Sequence, residues 1–216
     1  MSLDIELLRK AIKEQGFEWR VEYNHLTGMD TESRKKLLGS IPPEAATATA
    51  TDPRVSELIG STDNLPTSID WRNNGGNFVS NIQNQGRCGS CVSFGSVAVF
   101  ESMIAIEKGM FIKLSEADGF FCSSHGANCS GWWPSSFFKA NQTRGICQAY
   151  LFPYSSAFSN GNPSCKVNPK RDSNAFKYQN INSVTTIDEA KAYLVNVGPI
   201  TACFDVYEDF YHYKSN

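Results

Sequence analysis

The residues richest in potential chemistry are Gln85-Gly86-Arg87-Cys88-Gly89-Ser90-Cys91-Val92-Ser93-Phe94. This stretch joins a polar, turn-rich segment to an apolar run, Val92 to Met110, that reads as a buried helix. Cys91 therefore falls at or near a helix N-terminus, where orphan N–H groups and the dipole favour a thiolate. Gln85, six residues upstream, brings an amide donor from the adjoining loop. A thiolate beside convergent donors is what acyl transfer requires: the sulfur attacks a carbonyl and the donors hold the oxyanion that forms. Two plainer readings stay open here. Cys91 can be an inert, buried helix-start thiol with Gln85 solvated. Cys88 and Cys91 can also be half of a zinc site, although no second close pair follows at finger spacing.

A thiol nucleophile also needs an imidazole base, itself oriented by Asn or Asp. Three histidines are present: His25, His125 and His212. Seven cysteines stand at positions 88, 91, 122, 129, 147, 165 and 203, with none in the first 87 residues. An odd, clustered count predicts disulfides plus at least one free thiol. It therefore predicts an oxidising setting, whether secreted, lysosomal, vacuolar or periplasmic. The opening Met1-Ser2-Leu3-Asp4 lacks the basic-then-apolar pattern of a signal peptide, so any signal is expected to be removed already or never present.

The elements that must position these groups can be read along the 216 residues, of which 41% are hydrophobic and 12% aromatic, enough for a substantial core. The balance of 20 basic and 22 acidic residues, without a Lys/Arg block, gives no sign of a nucleic-acid partner. No apolar stretch is long enough to span a membrane. Leu3, Leu7, Leu8, Ala11 and Ile12 predict a short amphipathic helix over residues 2–15, with Ser2 as cap. Phe17, Trp19, Val21 and Tyr23 alternate as a short strand does. A second helix is expected from Thr31 to Leu38, ending at Gly39. The Ala/Thr-rich run Glu44 to Pro53 reads as an extended, protease-sensitive linker, so the N-terminal segment is a small module that must pack on something else. Beyond the long helix, Ser115 is expected to cap a short one. Residues 122–134 form a crosslinkable loop, and Ser135 to Gln142 resumes as helix. Tyr178, Ile181, Val184 and Ile187 suggest strand material. Asp188 to Val197 reads as a helix capped near Thr186, and Gly198 to Val206 as a buried strand.

Taken in order, Leu65-Pro66…Asp70-Trp71-Arg72, Gln85-x-x-Cys88-Gly89-Ser90-Cys91, Cys129-Ser130-Gly131, Pro153-Tyr154 and Gly198-Pro199-Ile200 resemble the papain-like cysteine peptidases over residues 65–216. The resemblance implies an α+β, two-domain papain-like fold with a complete helical half and an incomplete β-rich half. It implies that Cys91 is the nucleophile and that the Gln85 side chain and the Cys91 N–H form the oxyanion hole. Disulfides Cys88–Cys129 and Cys122–Cys165 are implied, each closing a loop of about 40 residues and worth a few kcal/mol in the chain-entropy model. Cys147 and Cys203 are left either to pair or to remain thiols. Cys203 falls at the wall of the second substrate pocket, opposite Trp133 and Pro134, with Gly131 and Trp132 lining the cleft. Trp19, Asn24 and Leu37-Leu38-Gly39 resemble the short propeptide of cathepsin B-type enzymes, implying that residues 1–64 are an inhibitory segment and linker. In such enzymes the propeptide runs through the cleft in reverse, which would bring Leu38 and Gly39 nearest Cys91. The chemistry calls for no metal and no cofactor. The partners implied are protein or peptide substrates and the chain's own propeptide.

Three positions depart from the family pattern. Val92 replaces an aromatic residue after the nucleophile. Trp132 replaces a glycine that lets substrate backbone approach, so its side chain must turn away or narrow the cleft, and an altered second or third pocket is expected. Most consequentially, the family histidine lies roughly 130–150 residues after the cysteine, beyond Asn216. His212 reads as a solvated loop residue in the segment preceding the histidine strand. Three arrangements follow: a processed precursor whose missing strands come from a second chain, an excerpt of a longer protein, or a catalytically silent homologue acting as a binding or inhibitory protein. Asn128-Cys129-Ser130 and Asn141-Gln142-Thr143 also match the N-glycosylation sequon.

Overall fold

The structure, a computed structural model, describes residues 4–42, 53–123, 127–158, 163–166 and 168–215. Its first helix, α1 (Ile5–Glu14), starts where the Asp4 carboxylate accepts the N–H groups of Glu6 and Leu7. Asp4 is thus the cap; Ser2 lies outside the described residues. Ile5 and Ile12 are buried against Val21 of β1 (Arg20–Val21), forming a small separate core with Leu8 and Trp19. The strand expected from Phe17 to Tyr23 is confined to these two residues. Helix α2 (Thr31–Lys35), capped by Asp30 onto the Ser33 N–H, is also shorter than expected, and turns carry the chain through Leu37.

Of the run expected as an extended linker, Glu44 to Pro53, all but its last residue lies outside the described residues, and Pro53 opens a helix. Residues 53–59 form α3 (Pro53–Ile59), which buries Val55 and Ile59 against Ala192. Proline in the first turn and apolar residues four apart are ordinary helix signals.

The central element is α4 (Cys91–Lys108), apolar around most of its circumference, as a helix enclosed by neighbours should be. Val92, Val97, Phe100 and Ile104 pack with Leu114, Phe137 and Ile146. It ends at Gly109, which takes the left-handed conformation that glycine tolerates best. Two shorter helices lie against it: α5 (Glu116–Phe121), capped by Ser115 onto the Asp118 N–H, and α6 (Pro134–Asn141). Strands β2 (Ile146–Cys147) and β3 (Ala175–Phe176) pair antiparallel. Helix α7 (Ile187–Asn196) is capped at Thr186 as expected, and the cap proves to be a reciprocal box with Glu189. Finally β4 (Tyr213–Ser215) pairs antiparallel with β1, joining the end of the described chain to its N-terminal module.

The architecture is α+β, with a well-packed helical part and little sheet. The buried strand expected over Gly198 to Val206 does not form, and Ala202 to Asp205 are exposed. Tyr178 to Val184 also contribute no strand. Tyr178 and Val184 do pack on the core, but a strand also needs a partner ladder, and neither segment finds one within the described residues.

One buried ionic cluster ties the helical part together. The Asp118 carboxylate on α5 accepts Arg144 Nη2 at 2.5 Å, Arg171 Nε at 3.0 Å and the Cys147 N–H at 3.0 Å. Burial pushes this carboxyl up, but the bonds from Arg144 and Arg171 outweigh it and hold it below the usual carboxylate range.

Candidate active site

Cys91 is the first residue of α4, half-buried, with a free thiol. The Gln85 side-chain amide donates to the carbonyl of Cys88 at 2.7 Å and to that of Leu37 at 2.8 Å. Its backbone is held as well: the Tyr154 hydroxyl donates to the Gln85 carbonyl at 3.1 Å and lies 2.6 Å from Ser90 Oγ. Tyr154 is wedged between the rings of Phe94 and Phe121. Burial pushes its phenol up to about 12, so it remains a proton donor at neutral pH. The sequence marked Tyr154 only as part of a motif; its positioning role appears once the turn at Tyr154–Phe158 packs beside the α4 N-terminus.

Leu37, whose carbonyl occupies Gln85, begins a passage of the N-terminal segment across the site. The Trp132 N–H donates to the Gly39 carbonyl at 2.8 Å, and the Ile41 N–H donates to the Trp132 carbonyl at 2.9 Å. Ser40 and Trp132 thereby form a parallel bridge. Three glycines make this approach possible. A Cβ on Gly39 would lie 1.9 Å from the Gly89 carbonyl oxygen, and one on Gly131 would lie 2.6 Å from the Gly39 carbonyl oxygen. Gly89 is itself held against Cys129 by an N–H to carbonyl bond of 3.0 Å beside the Cys88–Cys129 disulfide. Ser40 Oγ then stands 4.0 Å from Cys91 Sγ, and Cys203 Sγ stands 3.3 Å from the same oxygen. Ser40 was not singled out in the sequence; the residue after Leu38-Gly39 carries no signal until the register of the crossing is known.

The Trp132 indole turns away from the crossing backbone and packs on Phe120 and Phe137. Trp133 and Pro134, both half-buried, open α6. Cys203 is exposed on the irregular 201–207 segment. It is not paired with Cys147, which is buried, its thiol pushed up to about 12 by burial and by the Asp118 charge. The other cysteines form the bonds Cys88–Cys129 and Cys122–Cys165. Cys88 is thereby removed as a zinc ligand, and the described residues contain no His/Cys/Asp/Glu group that could hold a metal.

Neither of the two described histidines completes the site. His25 is exposed in the N-terminal module, and His125 lies outside the described residues. His212 is not the solvated residue expected from the sequence. It is 1% exposed, its ring meets Tyr23 edge-on, and neither ring nitrogen has a hydrogen-bond partner among the described residues. The turn Glu208–His212 folds it under the N-terminal module, where the Glu22 N–H takes its carbonyl at 2.8 Å. Asn141 is likewise no sugar acceptor: it is fully buried and donates to the carbonyls of Gly119 and Phe137. Asn128 is exposed. No helix among the described residues is long and apolar enough to cross a membrane.

A cysteine at a helix start, a glutamine amide beside it and an N-terminal segment crossing them fit the site pattern of the thiol peptidases, and comparison with known proteins gives the family. The papain family cysteine protease model matches residues 65–216, and the chain belongs to that family. It is 32% identical over 214 residues to pro-cathepsin H of Mus musculus, covering 95% of this chain and 60% of that protein. It is 36% identical over 157 residues to ananain of Ananas comosus, covering 69% and 41%. Digestive procathepsin L 3 of Tenebrio molitor superposes with a TM-score of 0.71 at 21% identity, covering 97% of this chain and 64% of that one. Procathepsin B S9 of Trypanosoma congolense superposes with a TM-score of 0.75 at 20% identity, covering 98% and 75%. The fold is papain-like, and the chain spans at most about three-fifths of the length of these two curated relatives.

Proposed function

We propose that this chain is the prosegment and nucleophile-bearing part of a cysteine endopeptidase zymogen. Residues 1–64 act as inhibitory segment and linker, and residues 65–216 as part of the peptidase domain. In the active form Cys91 attacks the scissile carbonyl, and the Gln85 amide with the Cys91 N–H receives the oxyanion. The acyl-thioester that results is hydrolysed by water. Gly131 and the Trp132 backbone pair with substrate, while Trp133, Pro134 and Cys203 border the second pocket. The observation that carries this reading is the crossing of Leu37 to Ile41. One Gln85 N–H is spent on Leu37, and Ser40 stands where the scissile carbonyl would come. The parallel bridge to Trp132 supports a reversed, uncleavable direction. The imidazole base and its orienting amide are assigned to residues beyond this stretch, contributed by the same protein or by a second chain. Protein or peptide substrates are the implied partners, and the two disulfides suit an oxidising compartment.

Cleavage within residues 43–64 of the full-length gene product should release the segment and raise peptidase activity on fluorogenic peptides. Unchanged activity after confirmed cleavage there contradicts the inhibitory assignment.

A further inference from the structure

Two free thiols converge on one side chain. Ser40 Oγ touches Cys91 Sγ at 4.0 Å and Cys203 Sγ at 3.3 Å, so the sum of these contacts is the largest separation the two sulfurs can have. Turning a cysteine about χ1 from one staggered position to the next moves its sulfur by about 3 Å. Cys203 also sits on a segment with no helix or strand bonds to hold its backbone, since residues 201–207 are irregular. Ser40 is the group that both sulfurs approach, and on the proposed function it belongs to the segment that must leave before substrate enters. Cys147 does not compete for either partner, because it is buried and held by the cluster around Asp118.

We propose that Cys203 is a resolving thiol for Cys91: once Ser40 has left, peroxide converts the pair into a reversible Cys91–Cys203 disulfide that switches the nucleophile off and protects it. In the first step the Cys91 thiolate attacks hydrogen peroxide. The O–O bond breaks, one oxygen joins the sulfur as a sulfenic acid, and the other leaves as hydroxide and is protonated to water. The Cys203 thiolate then attacks that sulfur. The S–S bond forms, the S–O bond breaks, and the oxygen leaves as a second water. Two thiols are oxidised by two electrons and one peroxide is reduced to two waters. A small dithiol restores both cysteines by exchange. Without Cys203 the sulfenic acid is open to a second peroxide and goes on to the irreversible sulfinic acid.

The test uses the full chain with Ser40 displaced rather than deleted. Gly39→Ala sets a Cβ against the Gly89 carbonyl and expels the crossing, and Ser40→Gly removes the wedge alone while leaving the backbone pairing intact. Each variant, with the native chain, is treated with hydrogen peroxide, alkylated, digested without reductant and mapped by mass spectrometry. The expected result is a Cys91–Cys203 linked peptide several-fold more abundant in both variants than in the native chain, and abolished by dithiothreitol. Adding Cys203→Ser, a change at an exposed position, should replace the link with Cys91 sulfinic acid. The proposal is overturned by any of three results: no linked peptide in either variant, equal yields with and without the wedge, or Cys203 joined to Cys147 instead. The readout is a mass, so it stands apart from whether the chain turns over peptides.

Discussion

On the proposed function, the Gln85 side chain is held ready for a charge that is not yet there. One of its N–H groups is anchored on Cys88, its carbonyl is fixed by Tyr154, and the other N–H is lent to Leu37. The proposed release of the N-terminal segment would free that donor without rotating it. Gln85→Ala in the activated full-length protein should therefore lower kcat by about 10²–10³-fold, the usual cost of one oxyanion donor, with KM changed far less. A matched fall in affinity alone would contradict this role. Tyr154→Phe removes the bond to the Gln85 carbonyl but keeps the ring between Phe94 and Phe121. Its expected effect is a smaller, several-fold loss in kcat, read in the same assay. Much at this scale was legible from the sequence, because the motif Gln85 to Cys91 is contiguous and its helix start is a local signal. Ser40 and Tyr154 were not, since their roles depend on which distant backbones cross.

Among the elements, α5 and the β1–β4 pair carry the most informative burials. Removing the Asp118 carboxylate takes the buried counter-charge from Arg144 and from the almost fully buried Arg171, which keeps only the exposed Asp172 as partner. Asp118→Ala should cost about 3–5 kcal/mol in urea unfolding; a loss under about 1 kcal/mol would mean the cluster is not cooperative. His212 gives the β1–β4 contact a pH dependence. Burial, and after it the charge of Arg34, hold its imidazole below the ordinary 6.5, with Glu208 and Asp209 pulling the other way. The folded state therefore binds this proton less readily than the unfolded one. Its contribution to stability is complete above about pH 6.5 and is lost as pH falls through that value toward the folded pKa. Protection of the Glu22 amide, which bonds the His212 carbonyl, should fall between pH 7 and 5 once the intrinsic exchange rate at each pH is divided out, and His212→Leu should flatten that profile. Parallel profiles in the two proteins would contradict it. Helices with caps written beside them, such as α5 and α7, could be read directly. The helix α3 was obscured by the linker-like residues before it, although Pro53, Val55 and Ile59 carried its pattern. The Asp118 cluster brings together residues 26 and 53 positions apart, which no local rule reaches.

For the molecule as a whole, the helical part is closed and the strand-bearing part is open. Phe204, Tyr207 and Phe210 are 63%, 73% and 45% exposed, and Phe204 stacks edge-on against Phe210 on the surface. The sequence pattern of Gly198 to Val206 is that of a covered strand, and the structure leaves Ala202 to Asp205 exposed; the pattern was readable, but no strand partner for it lies among the described residues. The isolated 216-residue chain should accordingly bind an environment-sensitive apolar dye several-fold more strongly than the full-length gene product. Equal binding would mean that this face is exposed in both. The most direct test of the central claim compares full-length gene product carrying Cys91 or Cys91→Ala, each cleaved within residues 43–64, on fluorogenic peptides. The account predicts turnover by the Cys91 protein and none above background by the alanine variant. Equal turnover by both, or none by either, would contradict it.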